Sequence, residues 1–400
     1  MKMHPVFFED DTRIHLRPFT FTRPVAEIWL GMTTNRLRWE RILGKTFSVF
    51  AENHLQKKYP PEFTDDNLLI NSAVLPYHGV AERLACLEKR EALVWDGKII
   101  AVRLNGNDAG QFVLGKAPPL RTLPFEGTPL LMRHAWELYS MNRDVFLLDY
   151  ALFTKNAYSA SFPSHVTCIG QQIFIEEGAK LAPCIINTET GPVYIARHAE
   201  IMEGALIRGP LYLGEQSVIK MGTRIYGAST FGPGCKIGGE VNNCIVFGNS
   251  NKAHDGFIGN AVIGEWVNMG ANTNCSNLKN NYAPVRVWSY AKEDFSETGL
   301  RFCGLMMGDY SKCGISSMFN TGTVAGVSVN VFGAGFLPKF IPSFSWGGPS
   351  EMKVFQPEKA VETARRMMER RNMTMDAVDE QILLDVYNLT GKYRQKAGVL

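Results

Sequence analysis

A large apolar side chain returns at every sixth position from Ile195 to Ile237. The series runs Ile195, Ile201, Ile207, Leu213, Ile219, Ile225, Phe231, Ile237, and Gly214, Gly232 and Gly238 each directly follow one member. A second series runs Met307, Cys313, Phe319, Ala325, Val331, with Gly308, Gly314 and Gly326 behind three of them. A helix repeats about every 3.6 residues and a strand about every two, so neither sustains a strict six. Ordinary strands that happen to lie six apart would not give so long a run. A coil of short strands does. Each strand sends one apolar side chain to the axis, and small residues turn the corner. The spacing predicts a parallel β-helix with three six-residue steps to each coil, and we expect its left-handed form.

This reading covers about Ile173 to Phe336 and breaks twice. The period slips around Val241-Asn-Asn-Cys244, and residues 280–303 interrupt the second series. That interruption reads as a loop thrown out of the coil, either functional or a tolerated insertion.

A chain of 400 residues is too long for one ordinary core. We expect an α/β domain over 1–165, the β-helix over 166–340 and a helical extension over 341–400. In the first domain Met3–Phe8 and Leu68–Leu75 read as strands, Thr34–Leu43 and Pro129–Ser140 as helices. Asp96-Gly97 joins two β runs in the manner of a tight hairpin turn. In the extension, Pro357 opens a helix through Arg371, and a second helix follows from Thr374. The two helices would cover the open end of the coil.

Net charge is +3 without a basic run, which argues against nucleic-acid binding. No stretch of about 18 apolar residues suggests a membrane span, and the opening residues do not resemble a signal peptide. The eight cysteines contain no C-x-x-C pair and read as free thiols in a reducing compartment. The expected location is cytoplasmic.

Polar residues concentrate where a coil should be packing, from Asn251 to Asn277. Such residues are costly unless they face a cleft and find partners. The stretch reads Lys252-Ala-His254, then Phe257-Ile-Gly-Asn-Ala-Val-Ile-Gly264, then Val267-Asn268-Met-Gly-Ala-Asn-Thr273 and Asn277. It resembles the acetyltransferase domain of the bifunctional N-acetylglucosamine-1-phosphate uridyltransferase/glucosamine-1-phosphate N-acetyltransferase family. In that family K-A-G-H is followed by Y-L-G-D-A-x-I-G and V-N-I-G-A-G-T-x-x-x-N. The resemblance covers roughly residues 195 to 335. It implies that His254 is the catalytic base, that Asn268 binds substrate, that Asn277 lines the acetyl site and that Arg224 holds phosphate. Asn242 stands where the family has a phosphate-binding lysine, and Phe257 replaces a tyrosine. It also implies acetyl-CoA as co-substrate, an amino-sugar phosphate as acceptor and a homotrimer.

A fainter resemblance marks the other end. Thr12-Arg13-Ile-His-Leu-Arg17-Pro-Phe-Thr-Phe-Thr-Arg23-Pro24 is similar to the G-T-R-L-x-P-L-T-x-x-x-P-K segment of sugar nucleotidyltransferases. Glu9-Asp10-Asp11 replaces the glycine-rich turn, Val25 the lysine, and Ala73 a metal-binding aspartate. Asn142-Arg143 is similar to the N-N-R segment. If this domain uses UTP, the resemblance implies that Arg13, Arg17 and Arg23 hold the nucleotide. Asp10, Asp11 and Asn142 would then hold Mg²⁺. A degenerate domain kept for structure or regulation is the alternative.

The combined expectation is acetyl-CoA-dependent N-acetylation of an amino-sugar 1-phosphate such as glucosamine 1-phosphate, with uridylyl transfer to UDP-N-acetylglucosamine in question. A chain starting at about Phe162 should suffice for the acetyl step. Two rivals stay open: the same fold acting on another sugar or acyl donor, and a non-catalytic trimeric scaffold.

Overall fold

The computed structural model describes residues 3–399. They form two compact units. The first holds residues 22–28 and 33–134 with the described residues up to Leu16. The second holds 17–21, 29–32 and the described residues from Ala135 on.

The first unit is built on a six-stranded sheet in the order Ser48–Phe50, His4–Phe8, Asn67–Asn71, Lys98–Leu104, Glu91–Trp95, Arg121–Pro124. His4–Phe8 lies parallel to both its neighbours. Its side chains are buried from Pro5 to Phe8, as a central strand covered on both faces requires. The Asp96-Gly97 hairpin is present, with positive φ at both turn residues. Helix Asn35–Leu43 starts on Thr34, whose hydroxyl accepts from the Leu37 N–H at 3.3 Å, and ends at Gly44 in the left-handed region. The helix expected over 129–140 begins later. A short 3-10 turn at Ala135–Glu137 leads into Leu138–Thr154.

The second unit is a parallel β-solenoid with three long faces. One face has nine strands, another ten and the third six. Successive members of the six-residue series fall on successive faces. Ile195 pairs with Leu213 and then Phe231. Ile201 pairs with Ile219 and then Ile237. Ile207 pairs with Ile225. All are buried in one continuous core that runs to Ile341. The slip near Val241 is a shortening of corners, because Ile237 is followed by core residues Val241 and Val246 at closer steps. The faces stay in register through it.

Residues 280–303 are not a bare loop. Arg286–Ser289 and Asp294–Glu297 form an antiparallel hairpin. Trp288 stacks on Phe340 at 4.0 Å between ring centroids, and Tyr290 meets Tyr393 edge-on. Val285, Val287, Trp288, Ser289 and Tyr290 are buried, so packing accounts for the ordered hairpin.

The solenoid also runs past residue 340. Ile341 pairs with Ala325 and Gly347 with Val331. Strand Met352–Val354 then closes the ten-stranded face antiparallel. Helices Pro357–Glu369, Ala377–Leu389 and Gly391–Lys396 follow. Arg394 donates to the Ser343 carbonyl at 3.2 Å, which ties this helical segment to the final coil.

Candidate active site

On the ten-stranded face, Lys236, Asn251, Asn268 and Lys312 pair in register as one outward row across four coils. This row floors a cavity of about 660 Å³. His254 stands at its edge on the corner after strand Asn251–Lys252, with its side chain exposed. Met367, Arg370 and Arg371 from the C-terminal extension form part of the wall. Lys220, Lys236, Lys312, Arg370 and Arg371 all line the space, and no carboxylate among the described residues does. Such a concave cationic surface concentrates anionic ligands.

The corner that carries His254 is held from below. Lys252 occupies the axis position that Ile237 fills one coil earlier and is 3% exposed. Its ammonium donates to the Gly238 carbonyl at 3.0 Å and to the His254 carbonyl at 2.7 Å. Burial pushes its pKa down to about 8. Gly256 completes the corner at φ +113°, where a Cβ would run into the Thr273 carbonyl. Only glycine suits so close an approach. Asn274 then accepts from the Phe257 N–H at 2.8 Å.

Asn268 is oriented by a relay. The Asn251 amide donates to Asn268 Oδ1 at 3.2 Å. Arg371 donates to Asn251 Oδ1 at 2.7 Å and also to the Gly234 carbonyl. Lys312, next to Asn268 in the row, donates to the Tyr310 carbonyl at 3.0 Å, and burial pushes its pKa to about 8.

The remaining coil residues lie elsewhere. Arg224 and Asn242 line a second cavity of about 650 Å³ on the six-stranded face, with Arg143, Arg208, Leu206 and Tyr226. Arg224 is half-exposed and sits 3.6 Å from the Glu240 carboxylate, which also accepts from the Tyr226 hydroxyl at 2.6 Å. Asn277 lines neither cavity and donates to Asn260 Oδ1 at 2.8 Å. One chain therefore brings His254 and Asn268 together, but not with Arg224, Asn242 or Asn277.

In the first unit, Glu9 and Asp10 follow the carboxyl end of the central parallel strand. Open α/β sheets form ligand crevices at that end. Burial raises the Glu9 carboxyl to about 7, although the Val25 N–H donates to it at 2.6 Å. Burial also acts to raise Asp10. Hydrogen bonds from Thr12 and Asn71, at 2.8 and 2.9 Å, nevertheless hold it below the usual carboxylate range. Arg13 pairs with Glu52 at 3.0 Å. Arg23 is buried.

Two of the residues expected to serve the nucleotide site belong to the second unit. Arg17 lies 4.7 Å over the Phe21 ring. Asn142 is fully buried; its Oδ1 accepts from the Gly31 N–H at 2.8 Å and its amide donates to the Ala228 carbonyl at 3.1 Å. The expected Mg²⁺ set does not fit. Asn142 is spent on interior backbone, both Asp10 oxygens already accept hydrogen bonds, and Asp11 is an exposed helix-start residue. No cluster of three His, Cys, Asp or Glu side chains suited to a metal occurs among the described residues.

Residues 5–158 match the family described as sugar nucleotidyl transferase. A stretch of 87 residues is 36% identical to the protein named bifunctional protein GlmU from Methanocaldococcus jannaschii, covering 22% of this chain and 21% of that one. The GlmU of Methanococcus aeolicus matches at the same identity and length, over 20% of its own chain. Over these stretches the chain is similar to sugar nucleotidyl transferases and to GlmU. The matched stretch spans about a fifth of each of these relatives.

Among solved structures, a hexapeptide transferase family protein from Anaplasma phagocytophilum is 15% identical, with 56% of this chain and 96% of that one covered and a TM-score of 0.21. Arabidopsis UDP-N-acetylglucosamine acyltransferase is 10% identical, with 58% and 79% covered and a TM-score of 0.23. No described helix is long and apolar enough to cross a membrane.

Three parts of the candidate site on the coil are not singled out by the sequence alone. Lys252 reads in sequence only as part of the Lys252-Ala-His254 motif. A lysine at a place where the coil series demands an apolar residue was the signal that marks it. Lys312 immediately precedes Cys313 of the second series and so faces outward. Arg371 lies just past helix Pro357–Glu369, more than a hundred residues along the chain from Asn251, and no local pattern joins the two.

Proposed function

We propose that the coil catalyses acetyl transfer from acetyl-CoA to the amine of an amino-sugar 1-phosphate, with glucosamine 1-phosphate as the favoured acceptor. The observation that carries this reading is His254 at the edge of a cationic cavity floored by Asn268. A neutral amine attacks the thioester carbonyl, and His254 takes the proton the amine gives up. The C–N bond forms, the C–S bond breaks, and the CoA thiolate leaves and takes a proton. The cavity lysines and arginines suit the phosphates of both substrates. Lys312 and Asn268 provide hydrogen-bond donors near the floor for the developing oxyanion.

A homotrimer would supply what one chain lacks. Arg224 and Asn242 lie on another face, and closed cyclic assembly places unlike faces of identical chains together. The first unit follows the nucleotidyl transferase pattern with acids where the family has glycines. We propose that uridylyl transfer there is weak or absent.

The test feeds glucosamine 1-phosphate and acetyl-CoA to the purified chain. N-acetylated sugar phosphate and free CoA thiol should appear in equal amounts. Hydrolysis of acetyl-CoA without sugar acetylation, or no turnover over a panel of amino-sugar phosphates, would rule the reading out.

A further inference from the structure

We propose that Arg371 is a positioning residue for acetyl transfer. On this view the C-terminal extension is a working part of the site as well as a cover for the coil. The inference rests on the acetyltransferase reading above. It starts from one connection: the Arg371 guanidinium, in the turn just past helix Pro357–Glu369, reaches the outward row of the solenoid and holds Asn251 Oδ1 at 2.7 Å.

That contact has a direction. An asparagine amide can present either its oxygen or its nitrogen to a neighbour. The Arg371 guanidinium has only donors, so it fixes the Asn251 oxygen toward itself. The Asn251 nitrogen must then point along the row, where it donates to Asn268 Oδ1 at 3.2 Å. Asn268 is held by its oxygen in turn, and its own NH₂ is the group left to face ligand. Arg371 thus sets which end of Asn268 is offered to the cavity, two hydrogen bonds along the relay from itself.

The arginine is fixed independently of the relay. Its other nitrogen donates to the Gly234 carbonyl, and its guanidinium lies 5.9 Å from the centre of the buried Trp266 ring. A planar fork holds two acceptors in fixed relative directions, which the compact ammonium of lysine on its flexible stem does not reproduce. Asn251 and Asn268 are themselves paired rungs of one face, so backbone register keeps the relay short.

The test compares the full-length wild type with Arg371→Ala, Arg371→Lys, Asn251→Ala and the Arg371→Ala/Asn251→Ala double variant. Circular dichroism first selects the variants that fold. Arg371→Ala should lower kcat by roughly 10²-fold, the scale on which misplacement of a catalytic group acts, and move the KM of either substrate far less. Arg371→Lys should recover only part of the loss. The double variant should fall no further than the worse single one, because both break the same relay. An unchanged kcat, a loss confined to KM, or effects that multiply would overturn the proposal.

If the wild type acetylates no amino-sugar phosphate, the acetyltransferase reading fails on its own. The relay is then decided by hydrogen exchange. Faster exchange across residues 249–270 in Arg371→Ala or Arg371→Lys supports it, and unchanged exchange sinks it.

Discussion

The Lys252 ammonium donates to the backbone carbonyl of His254 at 2.7 Å from a place on the solenoid axis that Ile237 fills one coil earlier. A charged group in an apolar stack costs stability unless it is well satisfied. Here it closes the corner that presents the proposed base. That placement makes stability depend on pH in a direction opposite to that of a salt-bridged lysine.

Burial lowers Lys252 to about 8, whereas an unfolded lysine titrates near ~10.4. Between those values the unfolded chain binds more protons than the folded one. Stability contributed by this group therefore rises as pH climbs through that window, and the cost of the buried charge is felt in full below about 8. Lys312 is shifted down by the same cause. Urea unfolding at about pH 7.5 and about pH 9.5 should show a gain for wild type that shrinks in Lys252→Met, where only Lys312 remains. Equal gains in the two proteins would mean that Lys252 does not titrate as placed.

His254→Ala should cut acetyl transfer by about 10²-fold or more. The imidazole is exposed at the edge of the cavity, so stability should stay within about 0.5 kcal/mol of wild type. Initial rates and a thermal melt on the same sample separate the two effects. Wild-type turnover in the variant would remove His254 from the mechanism.

The six-residue series Ile195 to Ile237 maps onto register pairs across three faces, because axis-facing residues of a coil are dictated by local spacing. The Asp96-Gly97 turn and the helix starting at Thr34 were legible for the same reason. The hairpin within 280–303 was not. Its strands are short, and they are stabilised by Phe340 and Tyr393, which lie well outside any local window. His254 and Asn268 stood out as polar residues in an apolar repeat. The separation of Arg224 and Asn242 from them could not be read, because outward residues on different faces look alike in a period of six. Asn142 misled for a related reason: a buried asparagine serving backbone and one serving a ligand leave the same trace in sequence.

The first unit should show weak UTP-dependent uridylyl transfer, or none at all. Glu9 and Asp10 stand where a triphosphate needs donors, Arg13 is paired with Glu52, and phosphoryl-type transfer depends on positioned cations. Pyrophosphate release from UTP and N-acetylglucosamine 1-phosphate reads this directly. Robust turnover that survives substitution of Arg13, Arg17 and Arg23 would place the nucleotide elsewhere.

Sedimentation should show a homotrimer. The six-stranded face exposes Ile185 and Leu206, at 42% and 47%, on adjacent paired rungs, and an exposed apolar pair of this kind suits burial against another chain. Leu206→Glu should dissociate the assembly and reduce acetyl transfer with it. A fully active wild-type monomer would contradict both parts.

Cutting the chain at Phe162 should damage the coil even though the six-residue series begins later. The second unit includes 17–21, 29–32 and helix Leu138–Thr154. Phe146 is in one buried cluster with Phe174 and Tyr194, with Tyr150 packed against it. Phe19 lies 5.4 Å from Phe247, and Trp29 stacks on Tyr212 at 6.2 Å between ring centroids. The Thr230 hydroxyl donates to the Gly31 carbonyl at 2.6 Å, and Asn142 donates to the Ala228 carbonyl. Removing these segments uncovers a contiguous aromatic surface, which in water drives self-association. It also deletes partners of buried polar groups, at about 1–3 kcal/mol for each one left unsatisfied. The truncated chain should therefore bind a hydrophobic dye, aggregate on concentration and melt below the full chain. Equal melting temperatures and equal specific activity in the two would show that these contacts are dispensable to the coil.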